Sequence, residues 1–397
     1  MTKKIFAGLV AAFIAGAFLS FVFICMIFKI DASGAANIGR LLGAMNFIES
    51  NYVEEVDRDK LFFGAISGMV KSLDDPHSVY LEPKLFNRLK FETGGSFGGI
   101  GVYMGFKENE VRVLSVIPGS PGEKVGLRAG DSILAVNSQP VSEIEPDEVA
   151  LKIRGDVGTS VDLLIHRDGE EDKVYTITRD VIKVDTVAGK MLDDKLGYIR
   201  ISNFSENTGA DFKKILHELE EKNMKGLILD LRQNPGGLIT SCVEVAREIV
   251  PAGPVVSVVG RDGEKEVYNS ELQSAKYPII VLLDQHSASA SELLSGALQD
   301  TKAAIIVGEK SYGKGSVQTV VPMFRDDGLK LTTAKYYTPN GRSIDGTGIQ
   351  PDVEVKADKP LIMTRDLPEN SSSDVQLQKA EELLTQQINS GKILFDK

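Results

Sequence analysis

Residues 284–292 read Asp284-Gln285-His286-Ser287-Ala288-Ser289-Ala290-Ser291-Glu292, and residues 313–318 read Gly313-Lys314-Gly315-Ser316-Val317-Gln318. The first stretch is a turn of small and hydroxyl side chains. It lies between an apolar run, Tyr277 to Leu283, and a helical pattern, Ser291 to Gln299, so a buried strand hands over to a helix there. The second sets a lysine between glycines, in a loop joining the apolar strands Ala303 to Val307 and Val317 to Met323. A serine at a strand-to-helix turn and a lysine free to approach it are the minimum for a Ser-Lys hydrolase. Around them, from Asp185 to Asp352, strands (Gly197 to Ile201, Gly226 to Leu231, Val255 to Val259) alternate with helices (Asn207 to Lys222, Leu238 to Ile249). That rhythm predicts an α/β core.

A serine hydroxyl is a poor nucleophile until a base removes its proton, and lysine does so only when unprotonated, against a reference pKa of about 10.4. Burial among uncharged neighbours favours the neutral amine, and the residues flanking Lys314 (Ser311, Tyr312, Ser316, Val317) carry no charge. Ser287, Ser289 and Ser291 are all candidate nucleophiles, and Ser291, with Glu292 to Leu294 behind it, suits a helix start. Acyl transfer also needs donors for an oxyanion. Asp230-Leu231-Arg232-Gln233-Asn234-Pro235-Gly236-Gly237 ends a buried strand just before a helix, so Gly236, or Gly237 beside it, can present an unhindered N–H in positive potential. A rival pair, His286 with Ser289, requires the imidazole to fold back within one tight turn, with only Asp284 to orient it.

These motifs resemble the C-terminal processing peptidases, S41-type serine proteases that carry a PDZ domain. The likeness runs from about Asn37 to Asp352. It includes Ser72-Leu73-Asp74-Asp75-Pro76-His77-Ser78-Val79-Tyr80-Leu81, with one Asp more than usual, then Phe97-Gly98-Gly99-Ile100-Gly101 and Gly126-Leu127-Arg128-Ala129-Gly130-Asp131. The resemblance implies an α/β and α+β multidomain chain: a crotonase-like α/β spiral protease core at 182–355, an inserted PDZ domain at 91–181, and a helical region at 36–90. A loop and amphipathic helix follow at 356–397. It implies Ser289 as nucleophile, Lys314 as base, Gln318 as the residue orienting the lysine, and the N–H groups of Gly236 and Ala290 as the oxyanion hole. An amide suits Gln318's task, since it accepts a hydrogen bond without a charge that would keep the lysine protonated. PDZ domains add an extended peptide as a strand and hold its terminal carboxylate on backbone N–H groups; Phe97, Gly98, Gly99, Ile100 and Gly101 form the segment suited to this.

The rest of the composition sets limits. With 42% hydrophobic and 25% charged residues the 397-residue chain can build large cores, and a net charge of −11 without a dense basic cluster argues against nucleic-acid binding. Residues 5–28 carry no charge and follow Lys3 and Lys4. As a helix they extend about 36 Å, longer than the apolar region of most signal peptides, and the lysines keep the N-terminus inside. Residues 1–30 are therefore expected to be a membrane anchor, or else a signal peptide cleaved near Ala32-Ser33-Gly34-Ala35-Ala36. Either places the protease outside the cytoplasm, on the bacterial inner membrane facing the periplasm or free in it. Cys25 and Cys242 form no disulfide framework, and four histidines without metal-ligand spacing give no metal site; no cofactor is expected. Expected partners are unstructured protein C-termini and, from the stripe Ile38, Leu41, Leu42, Met45, Ile48 and Tyr52, a second copy of the chain. A lipoprotein or adaptor activator is left open, as is a different class of function, a catalytically silent PDZ scaffold on a protease-like core.

Overall fold

The computed structural model describes residues 31–391 apart from 108–109, 324–325, 359–366 and 368–372, and in the first thirty only 6, 13, 16, 19, 20, 23, 26, 27 and 29. The apolar segment 5–28 thus lies largely outside the described residues. Among the described residues no helix is long and apolar enough to cross a membrane. The chain divides into two compact units, residues 1–80 and 81–397.

In the first unit, α1 (Ala32–Asn51) begins where the Asp31 carboxylate accepts the Gly34 N–H at 2.7 Å, and α2 (Arg58–Lys71) where Asp57 accepts the N–H groups of Asp59 and Lys60. Both are short acidic side chains meeting the orphan donors of a helix start. Of the apolar stripe on α1, Met45 is buried, whereas Ile38, Leu41, Leu42, Ile48 and Tyr52 are exposed.

The second unit opens with α3 (Pro83–Thr93). Strand β1 (Ser96–Gly99) then pairs antiparallel with β7 (Asp180–Lys183), so the chain enters and leaves the next module through one two-stranded neck. Between them β2 (Val102–Lys107), β3 (Glu110–Val116), β4 (Ser132–Val136), β5 (Ser160–His166) and β6 (Lys173–Thr178) form an antiparallel sheet in that order, covered by α4 (Pro146–Ile153). Alternate residues such as Val111 and Val113 are buried and Glu110 and Arg112 exposed, the two-residue period of a half-covered strand. Asp131, which ends the Gly126–Asp131 run, is buried and structural. Arg167 holds it with bonds of 2.7 and 2.8 Å, and it accepts the Arg128 N–H at 2.8 Å.

The core sheet runs β8 (Val187–Met191), β9 (Leu196–Ile201), β10 (Gly226–Asp230), β13 (Ile279–Leu283), β14 (Ala304–Gly308), β17 (Val353–Glu354); all neighbours are parallel except β8 and β9. Consecutive residues face opposite ways. Leu227, Leu229, Val281 and Ile306 meet α5 (Thr208–Glu221), α6 (Ile239–Ile249) and α7 (Ala290–Asp300), while Ile228, Ile280, Leu282 and Val307 meet Leu377, Ala380 and Leu384 of α8 (Val375–Ser390). Both faces are covered, which is why these strands read as unbroken apolar runs. The C-terminal helix is therefore one layer of the core. Strand β11 (Gly253–Gly260) does not join this sheet. It pairs antiparallel with β12 (Lys265–Ser270) and β16 (Gly328–Tyr337), and β16 pairs in turn with β15 (Ser316–Pro322).

Candidate active site

Strand β13 ends at Leu283 and the chain is turned by one carboxylate. Asp284 Oδ1 accepts the N–H groups of His286, Ser287 and Gln233, each at 3.0 Å, and Oδ2 accepts the Gln233 side-chain amide at 2.6 Å. An Asp that bonds N–H groups two and three residues ahead makes such a turn locally. The three serines then part ways. Ser287 Oγ donates to the Leu231 carbonyl at 2.9 Å, and Ser291 Oγ to the Asn234 carbonyl at 3.0 Å; both fasten the serine turn to the loop after β10. Ser289 has φ +54° and ψ −113°, a conformation L residues rarely adopt, and its hydroxyl meets the buried hydroxyl of Tyr336. Burial pushes the Tyr336 phenol up to about 12, with the Ser289 hydroxyl pulling the other way. Helix α7 starts at Ala290, one residue before the sequence-based expectation, because Glu292 three residues beyond Ser289 accepts the Ser289 N–H at 2.8 Å. His286 is exposed, which disfavours the Ser-His pairing.

The lysine loop is pinned to this turn. Tyr312 N–H donates to the Ser287 carbonyl at 3.0 Å, and Lys314 N–H to Glu292 Oε2 at 2.9 Å, the oxygen that also holds Ser289. Gly315 must be glycine, since a Cβ there would collide with the Asp345 backbone. Lys314 is half-buried. Burial and the nearby Lys330 ammonium push its pKa below the ordinary lysine value, and Glu292 opposes them. Gln318 lies on β15, its Nε2 donating to Ser316 Oγ at 2.8 Å and Thr332 Oγ1 at 3.4 Å. Among the described residues no hydrogen bond joins the Lys314 amine to the Ser289 hydroxyl or to Gln318. The loops are brought together without the side-chain relay being closed.

Gly236 packs on the serine turn. With φ +102°, a Cβ there would lie 2.7 Å from the Ala288 oxygen, 2.8 Å from Ser289 Cβ and 3.0 Å from Ala290 N. Its N–H, expected at an oxyanion, instead donates to Asn234 Oδ1 at 2.9 Å. Behind this loop Arg232, wholly buried, pairs with Asp230 at 2.6 Å and with Asp374 at the start of α8 at 2.8 Å, and Tyr198 donates to Asp230 at 2.7 Å. Asp284, Glu292, Asn234 and Arg232 were not assigned to the site from sequence. The one local signal was the Ser-x-x-Glu spacing of 289–292, which marks a helix start at Ser289.

In the small antiparallel module, a cavity of about 330 Å³ is lined by Phe97, Gly99, Ile100 and Gly101 together with Ile153 and Arg154. Gly98 of the same segment is turned to the wall, its carbonyl accepting the Gly155 N–H at 3.0 Å. The Arg154 guanidinium lies 4.5 Å from the Phe97 ring centre and 5.4 Å from that of Phe91.

Residues 195–355 match the model of peptidase family S41, residues 112–167 that of the PDZ domain, and residues 29–84 that of the N-terminal domain of the activating protease CtpB. The carboxy-terminal-processing protease of Bartonella bacilliformis is 37% identical over 361 residues, 88% of this chain and 82% of that protein. The chain belongs to the S41 family of carboxy-terminal processing proteases. It is accordingly a serine-type peptidase with a PDZ domain. The carboxy-terminal processing protease CtpB of Bacillus subtilis is 40% identical over 319 residues, 79% of this chain and 66% of that protein, so the chain spans slightly under two thirds of its length. Among solved structures, the photosystem II D1 C-terminal processing protease aligns over 80% of this chain and 92% of its own, with 31% identity and a TM-score of 0.48.

Proposed function

We propose that this protease is an extracytoplasmic endopeptidase that cuts proteins at or near unstructured C-terminal tails, with Ser289 as nucleophile, Lys314 as base and Gln318 orienting the lysine. The observation that carries it is the sorting of the serines. The Ser287 and Ser291 hydroxyls are spent on backbone carbonyls, while the backbone N–H groups of strained Ser289 and of half-buried Lys314 share one Glu292 oxygen, which holds the two residues together. Neutral Lys314 takes the Ser289 proton as Oγ bonds to the scissile carbonyl carbon. The carbonyl oxygen becomes an oxyanion facing the N–H groups of Ala290 and Gly236. When the C–N bond breaks, the leaving amine takes the proton from the Lys314 ammonium. A water, deprotonated by the same lysine, then hydrolyses the ester and frees Ser289. With its NH2 engaged, the Gln318 amide has its oxygen left to receive a lysine N–H.

The same geometry favours a latent ground state. The Gly236 N–H is engaged by Asn234, so catalysis requires it to be released. Binding of a peptide terminus in the Phe97–Gly101 groove is the proposed trigger, acting by shifting the population toward the closed relay. The uncharged residues 5–28, whose described members Phe6, Phe13, Leu19, Phe23 and Met26 are exposed, support a membrane anchor or export signal. The exposed Ile38, Leu41, Leu42 and Ile48 support a dimer through α1. A fluorophosphonate probe tests the assignment: wild type should be labelled at Ser289, and Ser289→Ala should be neither labelled nor active on an unfolded protein with an apolar C-terminus. Neither labelling nor peptide-bond cleavage, with or without added extracytoplasmic extract, would return the chain to the scaffold class.

A further inference from the structure

Glu292 is wholly buried and surrounded by donors. Its Oε2 accepts the backbone N–H groups of Ser289 at 2.8 Å and Lys314 at 2.9 Å, and its Oε1 accepts the Gly313 N–H at 2.7 Å and the Ser311 hydroxyl at 2.6 Å. Ser311 Oγ itself accepts the Ile349 N–H at 2.7 Å, so its own proton is directed at Glu292. All four partners donate, a pattern a carboxylate matches and an amide does not. A helix cap needs only the bond to Ser289. The other three reach across to the lysine loop, and no capping role requires them.

We propose that Glu292 is the positioning residue of the catalytic pair: its single carboxylate fastens the nucleophile turn to the lysine loop and supplies the negative charge that the lysine ammonium faces. This rests on the reading of Ser289 and Lys314 as nucleophile and base. The charged groups acting on the lysine are Lys330 from β16 and Glu292 from α7. Asp345, beside Gly315, is paired with Lys335 at 3.4 Å. Burial and Lys330 drive the lysine toward the neutral form that takes a proton. Glu292 restrains that drift and steadies the ammonium that must later protonate the leaving amine. Removing the negative charge should therefore lower the pH at which the lysine becomes a base.

The test measures kcat and KM against pH for the detergent-solubilised full chain, wild type beside Glu292→Gln, Glu292→Asp and Lys314→Ala, on an unfolded protein substrate. Glu292→Gln sets an amide against donors and loosens both loops, so kcat should fall on the order of 10²-fold at little-changed KM. The acid limb of its kcat profile should also move to lower pH. Glu292→Asp keeps the charge one methylene short, and kcat should fall with the limb in place. A carboxylate that is merely structural would lower the folded fraction and leave the limb unmoved. Wild-type kcat in Glu292→Gln, or an unmoved limb in its residual activity, overturns the proposal. If Glu292→Gln does not fold, wild-type kcat in Glu292→Asp overturns it. Should Lys314→Ala keep wild-type activity, the Ser-Lys reading itself has failed; if that variant is dead and the limb of Glu292→Gln is unmoved, only the role of Glu292 has.

Discussion

At the scale of single residues, the proposed chemistry depends on a lysine that is neutral more often than a free one. The two leading causes lowering the Lys314 pKa are burial and Lys330. A depressed pKa means the neutral base is already present below the usual range, so activity should rise with pH through that lowered value and level off above it. Lys330→Gln removes a repelling ammonium, raises the Lys314 pKa and should move the acid limb to higher pH, with the plateau unchanged. A limb that stays in place would mean Lys330 does not act on the base. The geometric counterpart is Gly236. Its Cβ-free approach to Ser289 and Ala290, at φ +102°, leaves no room for a methyl group. Gly236→Ala should therefore push the loop off the nucleophile turn. Losing one oxyanion donor costs about 10²–10³-fold in kcat, readable at saturating substrate, while probe labelling of the folded fraction reports whether Ser289 itself is still reactive.

Elements decide what those residues can reach, and the C-terminal helix is the one whose role the sequence left open. Leu377, Ala380 and Leu384 of α8 cover the sheet face formed by Tyr198, Ile228, Ile280 and Leu282. Leu384→Ala should destabilise the protein by about 2–5 kcal/mol, seen as a lower urea midpoint at constant slope; an unchanged midpoint would mean α8 is not a core layer in solution. An amphipathic pattern announces that a helix has a face to bury but not which surface receives it, so α8 could be read from sequence and its docking could not. The same limit explains β11: its apolar run fits either sheet, and only long-range pairing with β16 settles which. Strands β9 and β10 and helices α5 and α6 fall within one residue of the sequence-based bounds at each end. At the site, the turn carrying Ser289 and the loop carrying Lys314 could be singled out from sequence, because small and hydroxyl residues between apolar runs mark such turns. Asp284, Asn234 and Glu292 could not. A carboxylate near a strand end reads as solvated surface until its donors, 22 residues away for Glu292 and 51 for Asp284, are folded against it.

Across the whole protease, the proposed regulation requires the Phe97–Gly101 groove and the Gly236 loop to influence each other. The neck between β1 and β7 rests on Gly95, whose carbonyl accepts both the Val184 N–H and the Asn207 side-chain amide, each at 3.0 Å. A few residues earlier, the Phe204 N–H donates to the Gly236 carbonyl at 2.9 Å, and the Leu238 N–H to the Phe204 carbonyl at 2.7 Å. The segment 203–207 therefore touches the neck at one end and the loop of Gly236 and Gly237 at the other. Proximity alone is not coupling; the physical requirement is that both sites bias one two-state element. Cleavage of a fluorogenic peptide too short to fill the groove isolates this. Wild type should be stimulated by a separate apolar C-terminal peptide, and a variant lacking Gly95 to Val181 should run at a rate that peptide does not change. Asn207→Ala, which removes the side-chain bond to Gly95, should bind the peptide as wild type does yet respond less. Linkage supplies the decisive control, since coupling of binding free energies is reciprocal. Fluorophosphonate occupancy of Ser289 should tighten peptide binding in wild type and leave it nearly unchanged in Asn207→Ala. Equal tightening in both would place the coupling outside the 203–207 segment.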